Sequence, residues 1–210
     1  MAVLSISRQF GAGGWTLGRS ISNQLGYKFV SSQIINEMAK EANVSTEWIK
    51  GVEKHAGDWL MRFVNKFVNG SFIEKHVGES KTDFDEKKYI TFLQNIVTRI
   101  ADEDNIVILG RGSQYILQGR ENVVHLLLVA DLEDRIKFLE KMWKLKKREA
   151  EKEIITREKR RDSFMKYFEL GPPNSPNLYH MVLNTSKIDF DQAIKIVTNL
   201  VKDCEKKNKK

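Results

Sequence analysis

The sequence predicts an α/β fold with a parallel sheet covered by helices on both faces. Several short segments are continuous aliphatic runs rather than alternating ones, as expected of strands buried on both sides. Segments with apolar residues three and four apart fall between those runs and read as helices. The two signals alternate along the chain, which is the pattern of parallel-sheet proteins.

Residues 2–7 read as a first strand and residues 8–14 as a glycine-rich turn. A helix over 15–25 follows, with Leu17, Ile21 and Leu25 four apart on one face. Gly26 stops it, and residues 27–30 form a second apolar segment. Ser31 or Ser32 is placed to cap a helix over about 33–42, and residues 45–48 open another. From 55 to 81 the pattern loosens: Phe63, Phe67, Val68, Phe72 and Ile73 are interrupted by Gly57, Gly70 and Gly78. That stretch reads as an insert of helix and loop. Residues 87–102 resume a helical period through Ile90, Leu93, Ile96, Val97 and Ile100. Strands are expected at 105–110 and 123–129, a helix at 131–147, and a highly charged helix at 149–168. Residues 171–176 hold all three prolines and form a loop. A short strand at 180–184 and a closing helix at 190–204 complete the chain.

At 210 residues the chain fits one domain, or one domain with an insert, and the helical region that holds the insert spans about 31–102. Its hydrophobic fraction of 41% and charged fraction of 30% suit a globular protein. No apolar run approaches the ~18 residues that cross a bilayer, so no membrane association is expected. The N-terminal residues lack the basic region and cleavage pattern of a signal peptide. Cys204 is the lone cysteine, which excludes an internal disulfide, and a cytoplasmic location is the default expectation. The net charge of +7 gathers between residues 137 and 166 and in a basic tail at 206–210, expected to fray. Such charge forms a solvated helix face, the reading composition favours, or attracts nucleotides or nucleic acid. Aromatic residues that stack on bases are not interleaved with the 137–166 charges, which argues against nucleic acid.

Strand, glycine loop and helix at the start of the chain form the layout that wraps backbone N–H groups around a phosphate. Two registers are available. Gly13-x-x-x-x-Gly18-Arg19-Ser20 matches a Walker A pattern with arginine for lysine. It puts the phosphate loop inside the segment where Leu17, Ile21 and Leu25 already run as a helix. The preferred register sets the loop directly after the strand, from Arg8 to Gly14. Gly11 and Gly13 then permit positive φ, and the amides of Ala12, Gly13, Gly14, Trp15 and Thr16 point at the phosphate. Thr16 supplies the hydroxyl that reaches a magnesium ion. Gly14 stands where a lysine is expected, and Arg8 is the better substitute cation, since Arg19 lies a turn into the helix.

Gly110-Arg111-Gly112 follows a central strand, where open α/β sheets place their ligands, and a guanidinium there can hold a phosphate bidentately. Arg157, Arg160 and Arg161 are three and four apart and share one helical face, as a lid over a transferring phosphoryl group requires. Lys166 and Tyr167 extend that face. His55, His76, His125 and His180 show no metal-ligand spacing, and His125 and His180 read as satisfied packing residues within strands. Trp48, Trp59, Phe63 and Phe67 either line an acceptor pocket or form the core beneath the insert, and core is the preferred reading.

These residues resemble the cytidylate kinase-like family of P-loop proteins, within the nucleoside monophosphate kinase superfamily. The resemblance is carried by residues 6–14, by 26–30 with the following helix, by 107–113, by the charged segment 149–167, and by 182–186 with the last helix. It spans nearly the whole chain and matches the 55–81 insert least. It implies a P-loop three-layer sandwich with a five-stranded parallel sheet, a helical acceptor-binding insert and a charged lid at about 148–177. It implies ATP with Mg²⁺ as phosphoryl donor and a nucleoside monophosphate, or another small phosphate-bearing molecule, as acceptor. On that reading Arg111 holds the acceptor phosphate, Ser31 stands where the family usually has an aspartate near the acceptor nucleoside, and Thr185 lies beside the adenine. Arg8, Arg157, Arg160 and Arg161 are the candidate catalytic arginines. Two other readings stay open. Gly14 suits a nucleotide-binding regulatory protein with little turnover, and the basic charge suits a nucleic-acid-binding protein.

Overall fold

The computed structural model describes residues 1–32, 35, 86–168 and 170–208. The expected helices at 33–42 and from 45, and the insert at 55–81, lie outside these residues, as do Trp48, Trp59, Phe63, Phe67, His55 and His76. The chain divides into two units, Met1–Ser31 with Val97–Lys210, and Ser32–Ile96.

In the first unit the strands β1 (Val3–Arg8), β2 (Lys28–Val30), β3 (Ile106–Leu109), β4 (Val123–Val129) and β5 (Met181–Asn184) form one five-stranded sheet. Their order is β2-β3-β1-β4-β5, and every pairing is parallel. β1 is therefore central, with Ser5 opposite Ile108 on one side and His125 on the other. The helices are α1 (Gly14–Leu25), α2 (Glu86–Asp102), α3 (Ser113–Ile116), α4 (Leu132–Trp143), α5 (Lys147–Met165) and α6 (Phe190–Lys207).

The two faces of the sheet differ in chemistry. Leu4 and Ile6 of β1, Val107 and Leu109 of β3, and Leu126 and Leu128 of β4 are buried against Leu17 and Ile21 of α1 and Val197 and Val201 of α6. Alternate residues turn to the other face, where Ser5, Ser7 and His125 are buried. The Ser5 and Ser113 hydroxyls bond at 2.8 Å and tie β1 to α3. Ile136 and Leu139 of α4 pack with Ala150 and Ile154 of α5, and Phe10 of the first loop joins that cluster. The helix pair is thereby fixed to the loop after β1. In the second unit Ile35, and Ile90, Leu93 and Ile96 of α2, are buried.

Several boundaries differ from those expected. The helix expected over 131–147 ends at Trp143, because Lys144 turns left-handed at φ 57. The charged helix begins earlier, at Lys147, and tightens to a 3₁₀ turn over Lys166–Phe168. α3 was not expected. His180 precedes β5 rather than lying in it, and α6 carries Lys206 and Lys207 in its last turn rather than in a frayed tail. Among the described residues no helix is long and apolar enough to cross a membrane.

Candidate phosphate site

The loop between β1 and α1 occupies the carboxyl end of the central strand, between the ends of β3 and β4. Gln9 fixes its start: its N–H donates to the Leu128 carbonyl at 2.9 Å, and its Oε1 accepts from the Ala130 N–H at 3.0 Å. Gly11 and Gly13 then adopt φ 88 and φ 76, which L side chains rarely adopt. Gly13 is the N-cap of α1, so Gly18, Arg19 and Ser20 lie inside the helix and the Walker-like register starting at Gly13 is not a loop. No side chain caps α1 and no acid stands in its first turn, an arrangement that leaves its positive end suited to an anion. Ala12, Gly13 and Gly14 are buried, and Trp15 and Thr16 are exposed at the mouth. Trp15 lies edge-on to Phe29, with ring centroids 6.2 Å apart.

Arg8 ends β1 and turns back over the loop. Its stem crosses Gly14, where a β-carbon would lie 3.0 Å from Arg8 Cγ. Its guanidinium packs against the bare α-carbon of Gly110 at the end of β3. Burial is the main cause that lowers its pKa from the usual guanidinium value to about 10; the charges of Arg161 and Arg111 lower it further, and Glu158 opposes them. The guanidinium stays protonated at neutral pH. Cations from three separate segments, Arg8, Arg111 and Arg161, thus lie near enough to act on one another.

Gly110, Arg111 and Gly112 all have positive φ, at 82, 59 and 70, and carry the chain from β3 into α3. The Arg111 guanidinium sits 5.6 Å from the Phe164 ring centroid of α5. Arg161 reaches from α5 to the sheet: its Nη2 donates to Ser7 Oγ at 3.2 Å, and its Nη1 to Asn174 Oδ1 at 2.9 Å. The structure separates the three arginines expected to form a lid. Arg161 turns inward, Arg157 is exposed but stacks 5.4 Å from the Phe10 ring centroid while paired with Glu153, and Arg160 is exposed. Lys166 and Tyr167 are exposed as well.

Ser31 immediately follows β2 and is partly buried. Thr185 approaches the loop from behind, its Oγ1 lying 3.3 Å from the carbonyl oxygens of both Ala12 and Val129. Sequence reasoning missed Arg135 and Glu158. Glu158 accepts from the Phe10 N–H, and Arg135 Nη1 stands 3.5 Å from the same carboxylate. Both sit on charged helices where periodicity gives no signal for which charges turn inward. His125 is buried, as expected of a packing residue, and its ring stacks on His180 with centroids 5.5 Å apart. Among the described residues no cluster of three or more His, Cys, Asp or Glu could hold a metal.

The arrangement fits a polyphosphate: a left-handed glycine turn, an uncapped helix start and converging guanidiniums. A Mg²⁺ ion fits only with few protein ligands, through the Thr16 hydroxyl and the phosphates themselves, as such ions are commonly held.

No curated protein sequence matches the chain. An uncharacterised protein from Eubacterium ventriosum has a similar crystal structure, with a TM-score of 0.69 and 14% identity over 96% of this chain and 99% of that one. A shikimate kinase from Bacteroides thetaiotaomicron follows with a TM-score of 0.51 and 14% identity, over 96% of this chain and 98% of that one. These likenesses establish a fold shared with small-molecule kinases. A model of the cytidylate kinase-like family matches residues 3–187, and the chain belongs to that family.

Proposed function

We propose that the protein transfers the γ-phosphoryl group of ATP to a nucleoside monophosphate, most plainly a cytidylate-like one. The observation that carries this reading is the convergence of Arg8, Arg111 and Arg161 beside the glycine loop. Phosphoryl transfer demands positioning and charge neutralisation more than covalent help from the protein, and guanidiniums supply both.

On this reading the amides of Gly11 and of Gly13 to Thr16 would hold the donor phosphates and the Thr16 hydroxyl would ligate the Mg²⁺; the Ala12 N–H, expected to join them, instead donates to the Gln9 carbonyl at 3.2 Å. Bound ATP supplies the phosphoryl group, and an oxygen of the acceptor phosphate is the nucleophile. Arg8 takes the part of the lysine that Gly14 lacks. Arg111 holds the acceptor phosphate, Ser31 faces the acceptor nucleoside, and Thr185 supports the adenine side of the loop. Arg161 and Arg157 neutralise charge on the transferring group and exclude water, whereas the exposed Arg160 contributes little in this state.

The test is a panel of nucleoside monophosphates with Mg·ATP, following ADP. Acceptor-dependent ADP with a pyrimidine monophosphate is expected. No acceptor-stimulated ADP with any of them overturns the reading. ATP binding without turnover favours a regulatory role, and salt-sensitive nucleic-acid binding without ATP affinity favours the third reading.

A further inference from the structure

Glu158 is a carboxylate placed where a phosphate-binding protein gathers positive charge. Its Oε1 accepts from the Phe10 N–H in the glycine loop and lies 3.5 Å from Arg135 Nη1. Its Oε2 lies 3.5 Å from Arg161 Nη1. Arg135 Nη1 also donates to the Phe10 carbonyl at 3.4 Å. One side chain therefore joins the loop, α4 and α5. All the groups are largely enclosed, with side-chain exposures of 20% for Glu158, 11% for Arg135 and 12% for Arg161. Arg135 Nε is buried with no partner, so the pair holds an unspent donor at this point.

A negative charge here has two opposed effects. It holds Arg135 and Arg161 against the loop, where they would otherwise repel each other and Arg8. It also repels the phosphates of any ligand that enters. Neither role is needed to build the core, since Ile154 and Ala150 already pack α5 onto α4.

We infer that Glu158 is a positioning residue, an internal counter-anion that trades phosphate affinity for correct placement of Arg161 and Arg135 during transfer. The two effects separate by substitution. Glu158→Gln removes the charge but keeps an acceptor for the Phe10 N–H. Glu158→Asp keeps the charge but shortens its reach.

Calorimetric titration with inorganic tripolyphosphate reads the first effect and needs no catalysis. E158Q is expected to bind it about tenfold more tightly at low salt, with the gain shrinking as salt rises. E158D is expected to stay within about twofold of the parent, because charge and not reach sets this affinity. Weaker or unchanged binding by E158Q overturns the proposal. E158A is the second variant, with the same expected direction, should E158Q fail to fold. The turnover arm rests on the kinase reading: both E158Q and E158D should lose about tenfold in kcat with no rise in the KM for ATP. Parallel loss of kcat and ATP affinity indicates a merely structural role and contradicts the inference. Absence of kinase activity in the parent sinks the kinase reading but leaves the tripolyphosphate result to decide the role of Glu158.

Discussion

The side chain of Arg8 lies across Gly14, so that a β-carbon at position 14 would stand 3.0 Å from Arg8 Cγ and 3.2 Å from Arg8 Cβ. The residue that brings charge to the loop and the residue that lacks it thus occupy one space. Gly14→Ala puts a methyl group into that contact and pushes the guanidinium off Gly110. Alanine is the better helix former at the start of α1, so the fold should not weaken. The expected outcome is a kcat about tenfold lower with an unchanged melting temperature, since loss of one aligned donor costs on that order or more. Steady-state kinetics beside a thermal melt check it.

Arg111 stands at the left-handed turn after β3, on a different segment from the amides at the start of α1. Arg111→Ala should therefore lower kcat/KM for the acceptor by about a hundredfold, the scale of a lost charge-assisted pair. Affinity for ATP alone should change little. Equal losses toward both substrates would move Arg111 out of the acceptor site.

The three arginines of α5 proposed to act as a lid are not equivalent. Arg161 is tied to Ser7 and Asn174, and Arg160 is exposed on the same helix. Arg161→Ala should reduce kcat by about a hundredfold, and Arg160→Ala by less than about threefold. Arg157, whose guanidinium faces the Phe10 ring, should fall between them. A reversed order for Arg160 and Arg161 would assign the lid contact to the wrong face of α5.

His125 gives the fold an acid-sensitive point. Burial, and secondarily the stacked His180 ring 5.5 Å away, hold its pKa down from 6.5 to about 4. The unfolded chain binds a proton at this position below about pH 6.5, and the folded one does so only near pH 4. Its contribution is therefore complete above pH 6.5 and shrinks as the pH falls toward 4. The expected loss is roughly 3 kcal/mol across that window. Denaturant titrations of the parent and of His125→Leu at a series of pH values check this. The difference between the two should slope over this window and flatten above it. A difference independent of pH would contradict it.

Much of the fold was legible because its signals are local. The aliphatic runs at Ile106–Leu109 and Val123–Val129 are strands, and Gly26 ends α1 in the left-handed conformation that glycine favours. The end of α4 was not legible, because the left-handed residue there is Lys144 and carries no glycine signal. α3 was missed because four residues are too few to show a period. At the site, the glycine loop and Arg111 could be read from their places after strands. Arg135 and Glu158 could not. On α5, with charge on nearly every face, only packing decides that Glu158 and Arg161 turn inward while Arg160 faces water.

The most direct test moves the loop's charge back. In Arg8→Gly the cation at the end of β1 is gone, and acceptor-dependent ADP formation should fall by about a hundredfold or more. Adding Gly14→Lys to that variant places an ammonium at the start of α1, in the space the Arg8 stem has vacated. The double variant should recover at least about tenfold in kcat over Arg8→Gly alone, whereas Gly14→Lys with Arg8 intact should be impaired by crowding. Full activity in Arg8→Gly, or a folded double variant no faster than Arg8→Gly, would contradict the claim that Arg8 carries the charge Gly14 lacks.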